Sequence, residues 1–265
     1  MNHSLIQDLY MAGVRWEITD MPTATAIALD AARKNTATPQ KQTPVDDIEI
    51  PTGMRTPVYS SGPVVVPSIT PLGVDTAISA AARPADTESL NRMIAEFNHP
   101  LRVTARNTVL PRAATTGQGA LMVITDIPSS DDDAAGNILT GAAGELFDKM
   151  IGAIGLTRDS ISITPLVFWR TPGGRAPARG DIDLARPFVD KFIELTQPRV
   201  ILTLGTLPAT EIAGVNLADA HGKIVTVADR PVMPIFHPNY LMLKPAAKRD
   251  AWGALQIVQN LLKND

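Results

Sequence analysis

The sequence predicts an α/β fold, a mostly parallel sheet with helices on both faces. Two observations carry this. From residue 89 onward, short apolar runs of strand length alternate with segments of helical period. One of those runs, RVILTL at 199–204, is almost wholly apolar, as a strand buried on both faces should be.

The elements follow in order. Residues 89–97 (SLNRMIAEF) read as a helix, and residues 120–125 (ALMVIT) as a short strand followed by a polar turn from Asp126 to Asp133. Residues 142–154 carry Leu146, Met150, Ile151 and Ile154 at helical spacing. Residues 161–167 (ISITPLV) form the next strand despite the internal Pro165. Residues 182–195 form a helix with Phe188, Phe192 and Leu195 on one face. After the 199–204 strand come a helix over about 206–213, short strands around 223–227 and 231–236, and a last helix over about 246–262.

The N-terminal third is different. Eight of the 22 prolines lie between Pro39 and Pro84, in a stretch without sustained period. Three parts are therefore expected: a short helical segment at 1–35, a Pro/Ala/Thr-rich linker at 36–88 expected to be disordered or extended, and an α/β domain at 89–265. Leu5, Leu9, Tyr10, Val14 and Trp16 suggest the amphipathic helix, which either docks on the rest of the chain or binds a protein partner. Residues 1–91 hold 6 basic and 10 acidic side chains, whereas 92–265 hold 18 and 17, so the overall charge of −3 belongs to the N-terminal third. A nearly neutral folded part neither demands nor excludes a polyanionic partner.

The composition excludes several chemistries. Among 265 residues there is no cysteine, which removes disulfides, thiolate nucleophiles and thiolate metal ligands. The four histidines, His3, His99, His221 and His237, are too scattered to make a metal site alone. No apolar run approaches the ~20 residues of a bilayer span, and the N-terminus lacks a secretory layout. A soluble, cytoplasmic protein is expected, without a membrane partner.

In an open parallel sheet, ligands bind beyond the carboxyl ends of the strands. Four segments fall there: Thr125 to Ser129 with Asp131, Asp132 and Asp133 beyond; FWRTPGGRAP from Phe168 to Pro177; Leu204, Gly205 and Thr206; and HPNYLM from His237, followed by Lys244, Lys248 and Arg249. Each has an ordinary reading as well. Asp126 can cap a turn, the aspartate run can be a solvated loop or hold magnesium, and Arg170, Arg175 and Arg179 can belong to a rigid turn. Convergence on one sheet edge favours a site.

In order and spacing, ISITPLVFWRTPGGRAP (161–177), PRVILTLG (198–205) and FHPNYLMLKPAAKRDAW (236–252) resemble the uracil-DNA glycosylases, most closely the iron–sulfur family 4. The resemblance spans about residues 89–262. It implies a three-layer α/β/α sandwich with a central, mostly parallel four-stranded sheet. It also implies base flipping and cleavage of an N-glycosidic bond in DNA repair.

Carried over residue by residue, the resemblance makes Asp126 and His237 the catalytic pair. Asp126 stands for the family's glutamate, in a TDIPS run that has lost both glycines of GE-x-PG. His237 matches the family's histidine. Ile127, Pro128, Ser129, Leu139 and Pro165 fall at the base pocket, with Leu139 at the stacking phenylalanine and Pro165 at the uracil-reading asparagine. Arg170, Arg175, Gly205, Tyr240, Leu241, Leu243 and Lys244 fall at the DNA contacts, with Leu243 where an arginine is usual. The cluster cysteines correspond to Glu96, His99, Trp169 and Ala185, so no cofactor is expected and packing is expected to fill that volume. Two functions stay open: a glycosylase of altered or weakened base specificity, and an inactive relative that binds DNA or protein. A nucleoside hydrolase on the same scaffold is a more distant third.

Overall fold

The computed structural model describes residues 73–117 and 119–263. The expected helical segment at 1–35 and most of the expected linker lie outside the described residues.

Five strands form one sheet in the order β2-β1-β3-β5-β4. They are β1 (Leu121–Thr125), β2 (Ser162–Pro165), β3 (Val200–Leu204), β4 (Val225–Val227) and β5 (Arg230–Ile235). β2, β1, β3 and β5 run parallel, and β4 is antiparallel to β5. The expected four-stranded sheet is thus extended by one short edge strand. Ala228 and Asp229 make the turn between β4 and β5 with φ of 46° and 60°. Two consecutive positive φ values are what a two-residue hairpin needs to match strand twist.

Alternate residues of the strands enter two separate cores, the period-2 consequence of a sheet covered on both faces. Met122, Ile124, Ile201 and Val232 pack on one face against α1 (Val74–Ala81), α2 (Thr87–Glu96), α5 (Arg179–Thr196) and α6 (Thr206–Ala213). Leu121, Val123, Leu202 and Met233 pack on the other against α4 (Gly141–Ala153) and α9 (Lys248–Lys263). Three short helices complete the domain: α3 (Ser130–Ala135), α7 (Leu217–Ala220) and α8 (Pro238–Leu243).

Three local expectations are corrected. The linker does not run to residue 88, because Val74–Ala81 is helical and buries Ala77, Ala80 and Ala81 in the first core. Small residues at i, i+3 and i+4 let α1 lie close against α5. The polar turn ends at Ser129, which caps α3 through its hydroxyl while Asp132 bonds back to the Ser129 amide. That reciprocal cap, with three aspartates in the first turn, stabilises a helix start. The strand expected over 161–167 stops at Pro165, and Leu166 N–H donates back to Thr125 O at 2.9 Å and to Asp126 O at 3.1 Å. The open edge of β2 is covered by Arg112, paired antiparallel with Ile163. Among the described residues, no helix is long and apolar enough to cross a membrane.

Candidate functional site

Pro165, Thr125, Leu204 and Ile235 form one row across β2, β1, β3 and β5. The chain therefore leaves three neighbouring strands at one level: Asp126 after β1, Gly205 after β3, and Phe236 and His237 after β5. At ~4.8 Å between strands, the ends of β1 and β5 lie about 10 Å apart. Gly205 N–H donates to Ile235 O at 3.0 Å and ties the central strand end to the one that carries His237.

Asp126 packs directly on Gly205. Gly205 has φ 104°, and a Cβ there would lie 2.7 Å from Asp126 Cγ. Only glycine tolerates both the conformation and the approach. Asp126 Oδ1 is sealed from solvent without a hydrogen-bond partner. Burial pushes the carboxyl up to about 7, and the Leu207 amide in the first turn of α6 opposes the shift only in part.

His237 is the N-cap of α8, and its Nδ1 accepts from Asn239 N–H at 3.2 Å. A neutral ring in that arrangement carries its proton on Nε2. Burial pushes His237 down to about 4, with the Asp132 charge acting in the opposite direction. Asp132 is itself buried. Its Oδ1 accepts from Thr140 N–H and Oγ1–H, both at 2.7 Å, and its Oδ2 accepts from Ser129 N–H at 3.0 Å. An aspartate run read as a solvated loop thus contains an organising residue. The S-x-x-D spacing from Ser129 to Asp132 was its one sequence signal; the bond to Thr140 had none. Among the described residues, no cluster of acidic and histidine side chains could hold a metal ion.

The expected pocket residues divide. Ile127 and Ser129 are half-buried beside Asp126, and Pro128 is buried. Leu139 is a core residue, 2% exposed, so its side chain packs inward rather than offering a surface to a base. Its φ of 52° is held by Arg158, which donates to Ile138 O at 2.8 Å and Leu139 O at 2.5 Å. Gly144 makes room for the Leu139 carbonyl, since a Cβ there would lie 2.7 Å from Leu139 C. Pro165 is buried at the end of β2 and offers no side-chain polar group.

The expected DNA contacts divide as well. Arg175 and Lys244 are exposed, Arg170, Tyr240 and Leu243 are half-buried, and Gly205 is buried under Asp126. Arg170 Nε is buried without a partner. Leu241 is 1% exposed and lines an apolar cleft with Leu146, Met150 and Leu255, so it is a packing residue. Arg179, the third arginine of its loop, is committed to Asp183 and Glu211.

The positions corresponding to the cluster cysteines do not fit an iron–sulfur cluster. His99 and Trp169 are fully buried and stacked, ring centroids 4.5 Å apart and 13° from parallel. Both His99 nitrogens are used: Nδ1 accepts from Leu101 N–H and Nε2 donates to Asp181 O, each at 3.1 Å. Trp169 Nε1 donates to Thr108 Oγ1 at 3.0 Å, Ala185 is buried, and Glu96 is exposed at the end of α2. No thiolate is present, and the imidazole has no free lone pair.

Comparison with known proteins shows the family of the chain. A family model described as the uracil DNA glycosylase superfamily matches residues 114–256. The type-4 uracil-DNA glycosylase of Pyrobaculum aerophilum is 26% identical over 178 residues, 62% of this chain and 88% of that protein. That of Sulfurisphaera tokodaii is 28% identical over 152 residues, 51% of this chain and 69% of that protein. That of Saccharolobus solfataricus is 35% identical over 97 residues, 35% and 45% of the two chains.

Proposed function

Because the chain belongs to the uracil DNA glycosylase superfamily, we propose that it hydrolyses the N-glycosidic bond of a flipped base in DNA, with altered or weakened base specificity. The observation that carries this is the placement of Asp126 and His237 just beyond the ends of β1 and β5, on either side of Gly205, both half-buried, with Asp126 Oδ1 sealed from solvent.

The chemistry follows from those two groups. The C1′–N bond breaks with its electron pair leaving on the base, and the sugar becomes oxocarbenium-like. Neutral His237 donates its Nε2–H toward the developing negative charge on the base. Ionised Asp126 opposes the positive sugar and orients the water whose oxygen bonds to C1′. Asp126 then receives that water's proton.

Pro165 bears on specificity. With no amide at this position, a polar base edge placed there loses its partner, and discrimination falls with it. The same residue favours a second reading, an inactive relative that binds DNA or protein. Arg170, Arg175, Tyr240, Leu243 and Lys244 are the expected DNA contacts in either case.

The test is a single-turnover assay on single- and double-stranded oligonucleotides carrying uracil, hypoxanthine or xanthine. At least one base is expected to be excised, with the rate down ~100-fold or more in Asp126→Asn and in His237→Ala. The rate is expected to rise with pH through about 7 as Asp126 ionises, and to show no His237 limb above about 5. Excision that survives both substitutions sinks the mechanism. No excision of any base, with DNA binding retained, establishes the second reading.

A further inference from the structure

His221 lies outside the motifs that carry the family resemblance, yet it touches the segment that delivers His237. Its Nδ1 accepts from Phe236 N–H at 3.2 Å. Its ring packs on the Phe236 ring, centroids 4.1 Å apart with 30° between planes. Phe236 packs in turn on Tyr240, at 4.4 Å and 32°, and Lys244 Nζ lies 6.0 Å from the Tyr240 centroid. A ladder of three rings and a cation therefore runs alongside the first turn of α8, whose N-cap is His237.

The base of the ladder is anchored from both sides. His221 N–H closes α7 by donating to Leu217 O at 2.8 Å, and Gly222 N–H donates to Pro234 O at 2.9 Å. His221 Nε2 is sealed from solvent without a partner. A ring kept only to fill space would be apolar here, because an unpaired buried N–H is costly. What a histidine offers that phenylalanine does not is the acceptor at Nδ1.

We infer that His221 is a positioning residue for His237: by accepting the Phe236 amide and stacking on its ring, it holds the β5–α8 junction so that His237 keeps its Nε2–H directed to the site. This rests on the glycosylase reading for its catalytic consequence, while the positioning itself has a readout independent of activity.

Four histidines in the chain make a nitrogen-15 NMR titration assignable. His221→Phe keeps a ring and removes the acceptor; His221→Asn keeps an acceptor oxygen near Nδ1 and removes the ring. In His221→Phe, the His237 midpoint is expected to rise by about one pH unit or more toward its ordinary value. The excision rate at saturating DNA is expected to fall ~10- to 100-fold, with KM changed less than about twofold. His221→Asn is expected to return the rate to within about threefold of wild type. In the unsubstituted protein, the Phe236 amide is expected to be protected from hydrogen exchange, which tests the bond should His221→Phe not fold. An unchanged His237 titration in folded His221→Phe and His221→Ala overturns the inference, as does an unprotected Phe236 amide. If the wild type excises no base, the glycosylase reading fails alone, and the His237 titration still decides the positioning.

Discussion

At Gly205 the backbone has φ 104°, and the space a Cβ would take is filled by the Asp126 carboxyl group. Gly205→Ala therefore meets two penalties together, a left-handed backbone and a clash with a buried carboxyl. Their sum is expected to exceed about 2 kcal/mol in a urea melt. Relief by moving Asp126 toward water lowers its titration, so the activity midpoint near 7 is expected to shift toward acid in this variant. A pH–rate profile unchanged from wild type would show that Gly205 does not set the Asp126 environment. The two residues are far apart in sequence, and no spacing rule connects them. Asp126 and Gly205 were each readable as candidates on a strand end; their contact was not.

At the scale of elements, the segment after α2, the loop after β2 and the start of α5 meet at the stacked pair His99 and Trp169. Hydrogen bonds satisfy both rings, and Phe168 and Phe188 pack behind them. His99→Ala removes the stack and two hydrogen bonds, and is expected to cost ~2–4 kcal/mol. Reconstitution with iron and sulfide is expected to leave the melting temperature of wild type and variant unchanged; a rise in either contradicts the packing account. The loss of cysteine was legible from composition, and Trp169 and Ala185 were legible as filling residues. The imidazole's part was not, because both its partners are backbone groups that any sequence supplies.

For the whole molecule, pH acts on opposing groups. Burial lowers His99, His221 and His237 below the ordinary histidine value, and raises Asp126 above the ordinary carboxyl value. A depressed histidine binds its proton more readily unfolded, so its contribution is present above about 6.5 and is lost as pH falls toward the folded value. The raised Asp126 works in the other sense, binding its proton more readily folded and costing stability as pH rises from about 4 to 7. As pH falls from about 6.5 to 4, the three histidines lower the melting temperature and Asp126 opposes them. Asp126→Asn lacks the opposing group. It is expected to be more stable than wild type by ~2–4 kcal/mol at pH 8, to lose stability more steeply on acidification, and to converge with wild type near pH 4. Parallel melting curves for the two proteins from pH 8 to 4 would contradict this account.

The sequence by itself determined the fold class, the strands, most of the helices and the sheet edge on which the candidate residues gather. Those are consequences of local period: 3.6 for helices, and continuous apolar runs for strands covered on both faces. It also excluded thiolate chemistry outright. The tertiary structure decided what lies between elements. It brought Asp126 onto Gly205, turned Asp132 from a loop residue into a buried organiser, moved Leu139 and Leu241 into packing, and stacked His99 on Trp169. The reason is physical: desolvation and hydrogen bonding act through space on single side chains, and leave no periodic trace along the chain.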